Sequence, residues 1–367
     1  MRKRIYVAAT SQHVGKTTST LGLVAAVKKK GIHVGYCKPV GQEFVDLEDL
    51  QVDKDAVLFA QYMDFKIDSN VHSPVILGKG ATTAYLEHPE RYHYKEEIME
   101  AVEELDKEYD MVIYEGTGHP GVGSVVDLNN ADVAKLINAS VIMVVEGGIG
   151  NTIDKLNMSI ALFREADVPL LGVIINKVRP DKIEKVRSLV GKKLHQMGIP
   201  LLGCVPYDRT LSYPILSTVA DAIKGKVIHN PDKMDNRIED LLPGSLINYE
   251  EHHSKKNFLL IISYNRLDEG IRILKTEFNK PSINGIALTV FGMHEQNNIQ
   301  LSKDALEYVN EHKIPVIVTP FDTYGSVVKI SQIEVKINTR TPWKVKRAID
   351  LIENHIDLSS IIETGLE

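Results

Sequence analysis

Short apolar runs punctuate the first two hundred residues, and stretches of helical periodicity fill the spaces between them. The strand-like runs are Ile5–Ala9, Val34–Cys37, Met111–Tyr114, Ser140–Val145, Leu170–Ile175 and Leu201–Val205. Helical patterns lie near Thr17–Lys30, Tyr94–Glu108, Ile153–Ala166 and Lys182–Met197. Strands that alternate with helices of ten or more residues predict an α/β fold, a mostly parallel sheet with helices on both faces. Ligands of such sheets sit beyond the carboxyl ends of the strands, so the residues just after each strand are where chemistry is expected.

The pattern changes near Asp208–Pro214. A helix around Ile215–Lys224 leads to the short strand Lys226–Ile228, a polar stretch, Pro243-Gly244 and the charged run Glu250–Lys256. Apolar runs return at Phe258–Ile262, Gly285–Val290 and Pro315–Thr319, separated by helical patterns near Glu269–Phe278 and Lys303–Glu311. These features predict two domains: residues 1–211, and a smaller α/β domain over 212–357 closed by a helix at Trp343–His355, with a tail at 358–367. His252-His253 reads as a solvated turn, since no cysteine or third histidine stands nearby at ligand spacing.

The first strand runs into Ala9-Thr10-Ser11-Gln12-His13-Val14-Gly15-Lys16-Thr17-Thr18 and then a helix. This is the layout of a P-loop NTPase-type phosphate-binding loop. Gly15 lets backbone N–H groups approach phosphate oxygens, Lys16 carries a charge to the β/γ phosphates, and Thr17 is placed to ligate Mg²⁺. The usual leading glycine is replaced by Thr10. The plain alternative is an ordinary strand–helix turn with an exposed lysine, and the flanking elements argue against it. Nucleotide binding is the expectation, through Gln12, His13, Val14, Gly15, Lys16, Thr17 and Thr18.

Other strand ends add to it. Lys38, fixed by Pro39, can aim its ammonium at phosphates or a carboxylate, although alone it is a common surface lysine. Glu115 opens the glycine-rich turn Gly116-Thr117-Gly118-His119-Pro120-Gly121-Val122-Gly123 and suits Mg²⁺, its alternative being a strand-end cap. Asp55 is a second metal candidate or a helix cap. Asn176 can hydrogen-bond a purine, while Arg179 stands where guanine-binding proteins carry an aspartate, so ATP is expected over GTP. His119 reads more as an exposed loop histidine than an acid–base group.

Composition changes the picture little. The chain has 367 residues, 43% hydrophobic and 25% charged, with two cysteines and a net charge of −6. That charge gives no global attraction to nucleic acid or an anionic membrane. The two cysteines suit a reducing compartment, the start resembles no signal peptide, and no run reaches the roughly 18–20 apolar residues of a membrane span. A cytoplasmic protein is expected.

Lys38-Pro39-Val40, Asp55-Ala56, Glu115-Gly116-Thr117-Gly118, Gly150-Asn151, Asn176 and Leu202-Gly203-Cys204-Val205-Pro206 stand in the order and spacing of the dethiobiotin synthetase family. The resemblance covers residues 1 to about 210. It implies that the loop and Lys16 hold ATP, that Thr17, Asp55 and Glu115 hold Mg²⁺, and that Lys16 and Lys38 meet a substrate carbamate. Ala9, Ser11 and Gly41-Gln42 depart from the family pattern, which sits against diaminopelargonate as the substrate. Arg266, Thr289 and the segment Asp322-Thr323-Tyr324 resemble a DRTGG domain over about 212–357, although Asp322 and Thr323 suit a helix cap equally.

The two together resemble the N-terminal part of long bacterial phosphotransacetylases, to which Lys38-Pro39-Val40-Gly41-Gln42 is closer than to the synthetases. The chain ends before an acetyltransferase domain would begin, so acetyl transfer to coenzyme A is not expected. Two classes stay open: a ligase-like ATPase that phosphorylates an unidentified small carboxylate or carbamate, and a non-catalytic nucleotide-sensing regulator. Both relatives imply a homodimer, with Phe291, Tyr324 and Val327 as weak support.

Overall fold

Buried strands cannot leave their backbone N–H and C=O groups unpaired, so the apolar runs of the first half pair with one another. A computed structural model describes residues 3–47, 50–247, 250, 254–277, 283–292 and 299–363, which leaves the His252-His253 pair outside the described residues. The chain divides into two units, Met1–Asp208 with Ile337–Glu367, and Arg209–Lys336.

The first unit is built on a six-stranded sheet of β1 (Lys3–Ala9), β2 (Val34–Cys37), β3 (Met111–Glu115), β4 (Ser140–Glu146), β5 (Leu170–Val178) and β6 (Leu201–Pro206). The order is β6-β5-β4-β1-β3-β2 and every pairing is parallel. The chain leaves β1 for one side of the sheet and resumes at β4 on the other. The switch point therefore falls at the carboxyl end of β1, where an α/β sheet opens a crevice for ligands.

Crossovers run through α1 (Lys16–Lys29), α2 (Lys54–Met63), α3 (Tyr94–Glu108), α4 (Asn130–Leu136), α5 (Gly150–Glu165) and α6 (Ile183–Gln196). In α3 the residues Ile98, Ala101, Val102 and Leu105 are buried at helical spacing, and the intervening charges face outward. Sequence patterning missed α2 and α4. Both are short, and their caps, Asp53 and Asn129, look like any loop residue in sequence.

The second unit carries β7 (Lys226–His229), β8 (Asp240–Pro243), β9 (Phe258–Ser263), β10 (Ile283–Thr289) and β11 (Val316–Thr319), ordered β7-β11-β10-β9-β8. Only β7 runs antiparallel to its neighbour among these described strands. Among the described residues, α7 (Leu216–Ala222), α8 (Leu267–Glu277), α9 (Lys303–Glu311) and α10 (Thr323–Ser331) accompany the sheet. The two-residue period of β9 divides its side chains between two cores. Phe258, Leu260 and Ile262 pack with α8 and α9, while Leu259 and Ile261 pack with α7 and α10.

One expectation is corrected. The helix α11 (Pro342–His355) belongs to the first unit rather than closing the second. Its buried stripe of Lys344, Val345, Ala348, Leu351 and Ile352 packs on α1, where a Cβ added to Gly22 would lie 2.2 Å from the Ile352 Cβ. Beyond the helix, Ile356 bridges to Gly203 of β6 and the Asp357 N–H donates to the Leu202 carbonyl at 2.8 Å. The cause lies in α1, which has nine consecutive buried residues from Ser19 to Val27. A helix apolar all round needs cover on two sides, and the sheet provides one.

No helix among the described residues is long and apolar enough to cross a membrane.

Candidate functional site

The loop after β1 is held from two neighbouring strands. The Thr10 N–H donates to the Val144 carbonyl at 3.1 Å, which carries the β1–β4 pairing one residue further. From the end of β5, Asn176 Nδ2 donates to the Val14 carbonyl at 2.8 Å, and Lys177 Nζ donates to the His13 carbonyl. Gly15 has φ +98°, and a Cβ there would stand 2.2 Å from Asn176 Nδ2. Glycine alone satisfies both the left-handed backbone and the close approach. Asn176, expected to face a purine, is in this structure a brace of the loop.

Helix α1 starts at Lys16 with no side-chain cap and no acidic residue in its first turn. Its first N–H groups and the positive end of its dipole are therefore left for an anion. Lys16 Nζ donates to the Gly118 carbonyl at 2.7 Å, joining the loop to the glycine-rich turn. Thr17 Oγ1 donates to Glu115 Oε1 at 2.8 Å. Thr18 is half-buried, Gln12 and His13 are exposed at the loop tip, and Val14 is buried.

Register brings the acid and the second lysine together. Val7 pairs with Glu115 and Cys37 with Tyr114, so Lys38 leaves its strand at the level of Glu115. Glu115 is buried and accepts from the Tyr36 hydroxyl at 3.4 Å. Burial, then the charge of Asp55, pushes its carboxyl up to about 7, while Lys38, Thr17 and Lys16 pull the other way.

The Lys38 ammonium lies between two aspartates, 3.2 Å from Asp53 Oδ1 and in contact with Asp55 Oδ2. Burial works against this cation, but Asp55, Asp53 and Glu115 outweigh it and lift its pKa above the ordinary lysine value. Asp53 is fully buried and caps α2 by accepting the Asp55 N–H at 2.8 Å. Sequence reasoning missed Asp53 as a site residue, although it stands two positions before Asp55.

Asn130 was also missed. Its Nδ2 donates to the carbonyls of Thr117 and His119 at 3.0 Å each and so shapes the glycine-rich turn. His119 itself is exposed, its Nδ1 accepting the Gly121 N–H at 3.2 Å.

The oxygen donors here are the Thr17 hydroxyl and the Glu115 and Asp55 carboxylates. Among the described residues no group of three or more His, Cys, Asp or Glu is placed to hold a metal. A hydroxyl and two carboxylates are oxygen ligands of the kind Mg²⁺ takes together with waters and phosphate oxygens.

A family described as an AAA domain matches residues 3–214. Among curated proteins, a phosphate acetyltransferase of Synechocystis sp. is 23% identical over 371 residues, 97% of this chain and 51% of that one. A probable cobyric acid synthase of Methanocaldococcus jannaschii is 31% identical over 237 residues, 58% of this chain and 47% of its own length. The chain spans about half the length of these curated relatives. Among solved structures, the MinD cell division protein of Aquifex aeolicus aligns with 57% of this chain and 84% of its own, at 15% identity and a TM-score of 0.36.

Proposed function

The chain belongs to the AAA domain family, and on that premise we propose that its first unit binds Mg-ATP and acts as a ligase-like ATPase. The observation that carries the reading is the Thr17–Glu115 hydrogen bond of 2.8 Å at the uncapped start of α1, with Lys16 beside it. A magnesium ion held by Thr17, Glu115 and Asp55 would neutralise phosphate charge, and Lys16 would hold the phosphates in place. Lys38 and the Glu115–Gly123 turn would then position a small carboxylate or carbamate for phosphorylation, giving an acyl phosphate and ADP.

A second reading, a nucleotide-sensing regulator, is favoured by one feature of the fold. The second unit is inserted between Asp208 and Ile337, so both of its ends are tethered to the first. In that reading ATP occupancy biases the second unit. This unit is taken as DRTGG-like on Arg266 and Thr289, and the whole chain as a cytoplasmic homodimer.

Calorimetry of Lys16→Ala tests the shared premise. Loss of a charge-assisted phosphate contact should weaken ATP by at least roughly tenfold, or ~1.4 kcal/mol. Equal affinity for the two proteins overturns the ATP site. ADP release measured across a panel of carboxylates then separates the readings. Turnover stimulated by one compound supports the ligase, and none across the panel supports the sensor.

A further inference from the structure

Capping of α2 uses only Oδ1 of Asp53 and does not account for its burial. Its carboxylate is entirely buried, and its Oδ2 has no hydrogen-bond partner among the described residues. Leaving a buried carboxylate so poorly satisfied costs several kcal/mol unless a cation faces it. Lys38 is that cation, at 3.2 Å from Oδ1. The same ammonium also holds Asp55, which is 21% exposed and lies toward the site. Lys38 is thus shared by one sequestered acid and one accessible acid.

We propose that Asp53 is a positioning residue for Lys38 and that Lys38 and a divalent cation compete for Asp55. The inference rests on the Mg-ATP reading above. When Asp55 serves the cation, Lys38 loses one acceptor and keeps the other. The Asp53 contact stops the ammonium from following Asp55 or swinging into solvent. One N–H of the ammonium is then open to an anionic oxygen of the second substrate, held where the cap of α2 fixes Asp53. Filling of the metal position thereby readies Lys38, and without it the lysine stays neutralised by its two aspartates.

Binding of Mn²⁺ alone, followed by the electron paramagnetic resonance of the free ion, tests this without any turnover. In Lys38→Ala the competitor for Asp55 is gone, so Mn²⁺ should bind about tenfold more tightly than to the wild type, the worth of one charge-assisted hydrogen bond. In Asp53→Asn the amide oxygen can still cap α2, but Lys38 has only Asp55 to lean on, so Mn²⁺ should bind more weakly. Unchanged or weaker binding in Lys38→Ala overturns the competition, whatever Asp53→Asn does. Wild-type titration with Mn²⁺ and ATP together separates the premise from the inference. Failure to take up the metal nucleotide overturns the Mg-ATP reading, whereas normal uptake with no gain in Lys38→Ala overturns the exchange alone.

Discussion

Gly22→Ala isolates the packing of α11 on α1 in a single methyl group. At an exposed helical position this change should stabilise the protein by up to ~1 kcal/mol, because alanine is the better helix former. Here the new Cβ would lie 2.2, 2.4 and 2.6 Å from Cβ, Cγ1 and Cγ2 of Ile352, a side chain with no solvent exposure. Carbon atoms rest near 3.5–4.0 Å, so one helix must retreat by roughly 1.5 Å along a packed seam. Overpacking of this kind costs about 1–3 kcal/mol and more when a backbone-proximal atom is struck, which outweighs the propensity gain. A net loss of ~1–2 kcal/mol is expected.

Urea denaturation followed by tryptophan fluorescence suits the measurement, since Trp343 is the only tryptophan of the chain and stands in the first turn of α11. Ile352→Ala alone should cost roughly 2–4 kcal/mol through its cavity, but clearly less in the Gly22→Ala background, where it removes two of the three clashing atoms. A Gly22→Ala protein as stable as the wild type, or more so, would refute the placement of α11.

Two pH effects accompany it. Burial lowers the pKa of Lys344, which lies on the inner face of α11, to about 7, against 10.5 for an ordinary lysine. Between pH 7 and 10.5 the unfolded chain holds the proton more tightly, so stability should rise with pH across that window and lie lowest below it. Lys344→Met should gain on the order of 2–4 kcal/mol at neutral pH and flatten that slope; equal slopes in thermal melts from pH 6.5 to 9.5 contradict the buried cation. Glu115, pushed up to about 7, keeps below that pH a proton that a metal must displace. Mg-ATP affinity should therefore climb as pH rises towards 7 and level off above it, and a flat calorimetric profile from pH 5.5 to 8 removes Glu115 from the metal site.

Sequence patterning recovered the parallel sheet of the first unit because its strands are buried on both faces and read as unbroken apolar runs. It raised Lys16, Thr17 and Glu115 as candidates because each stands at or beyond the carboxyl end of a strand, and local order alone says what lies at that edge. The acid that faces Lys38 was beyond that reach. Phe44–Leu47 and Leu50–Asp53 pair antiparallel, with Phe44 opposite Asp53, and this hairpin returns the chain to the Lys38–Gly41 segment. Asp53 then meets Lys38 across fifteen positions of sequence, through a pairing that short strands of mixed polarity do not announce.

The C-terminal helix failed for a different reason. Its amphipathic spacing was plain, but nothing in a stripe of apolar residues says which surface it covers. The missing half of the information was in α1. From Leu21 to Val27 that helix has no polar residue at all, which one sheet face cannot satisfy. A crossover helix apolar all round demands a second layer, and the remaining amphipathic helix with a return path to β6 is α11. The demand and its answer lie more than three hundred residues apart, at opposite ends of the chain with the second unit between them. Unit boundaries drawn by sequence position will misplace such a helix whenever a domain is inserted rather than appended.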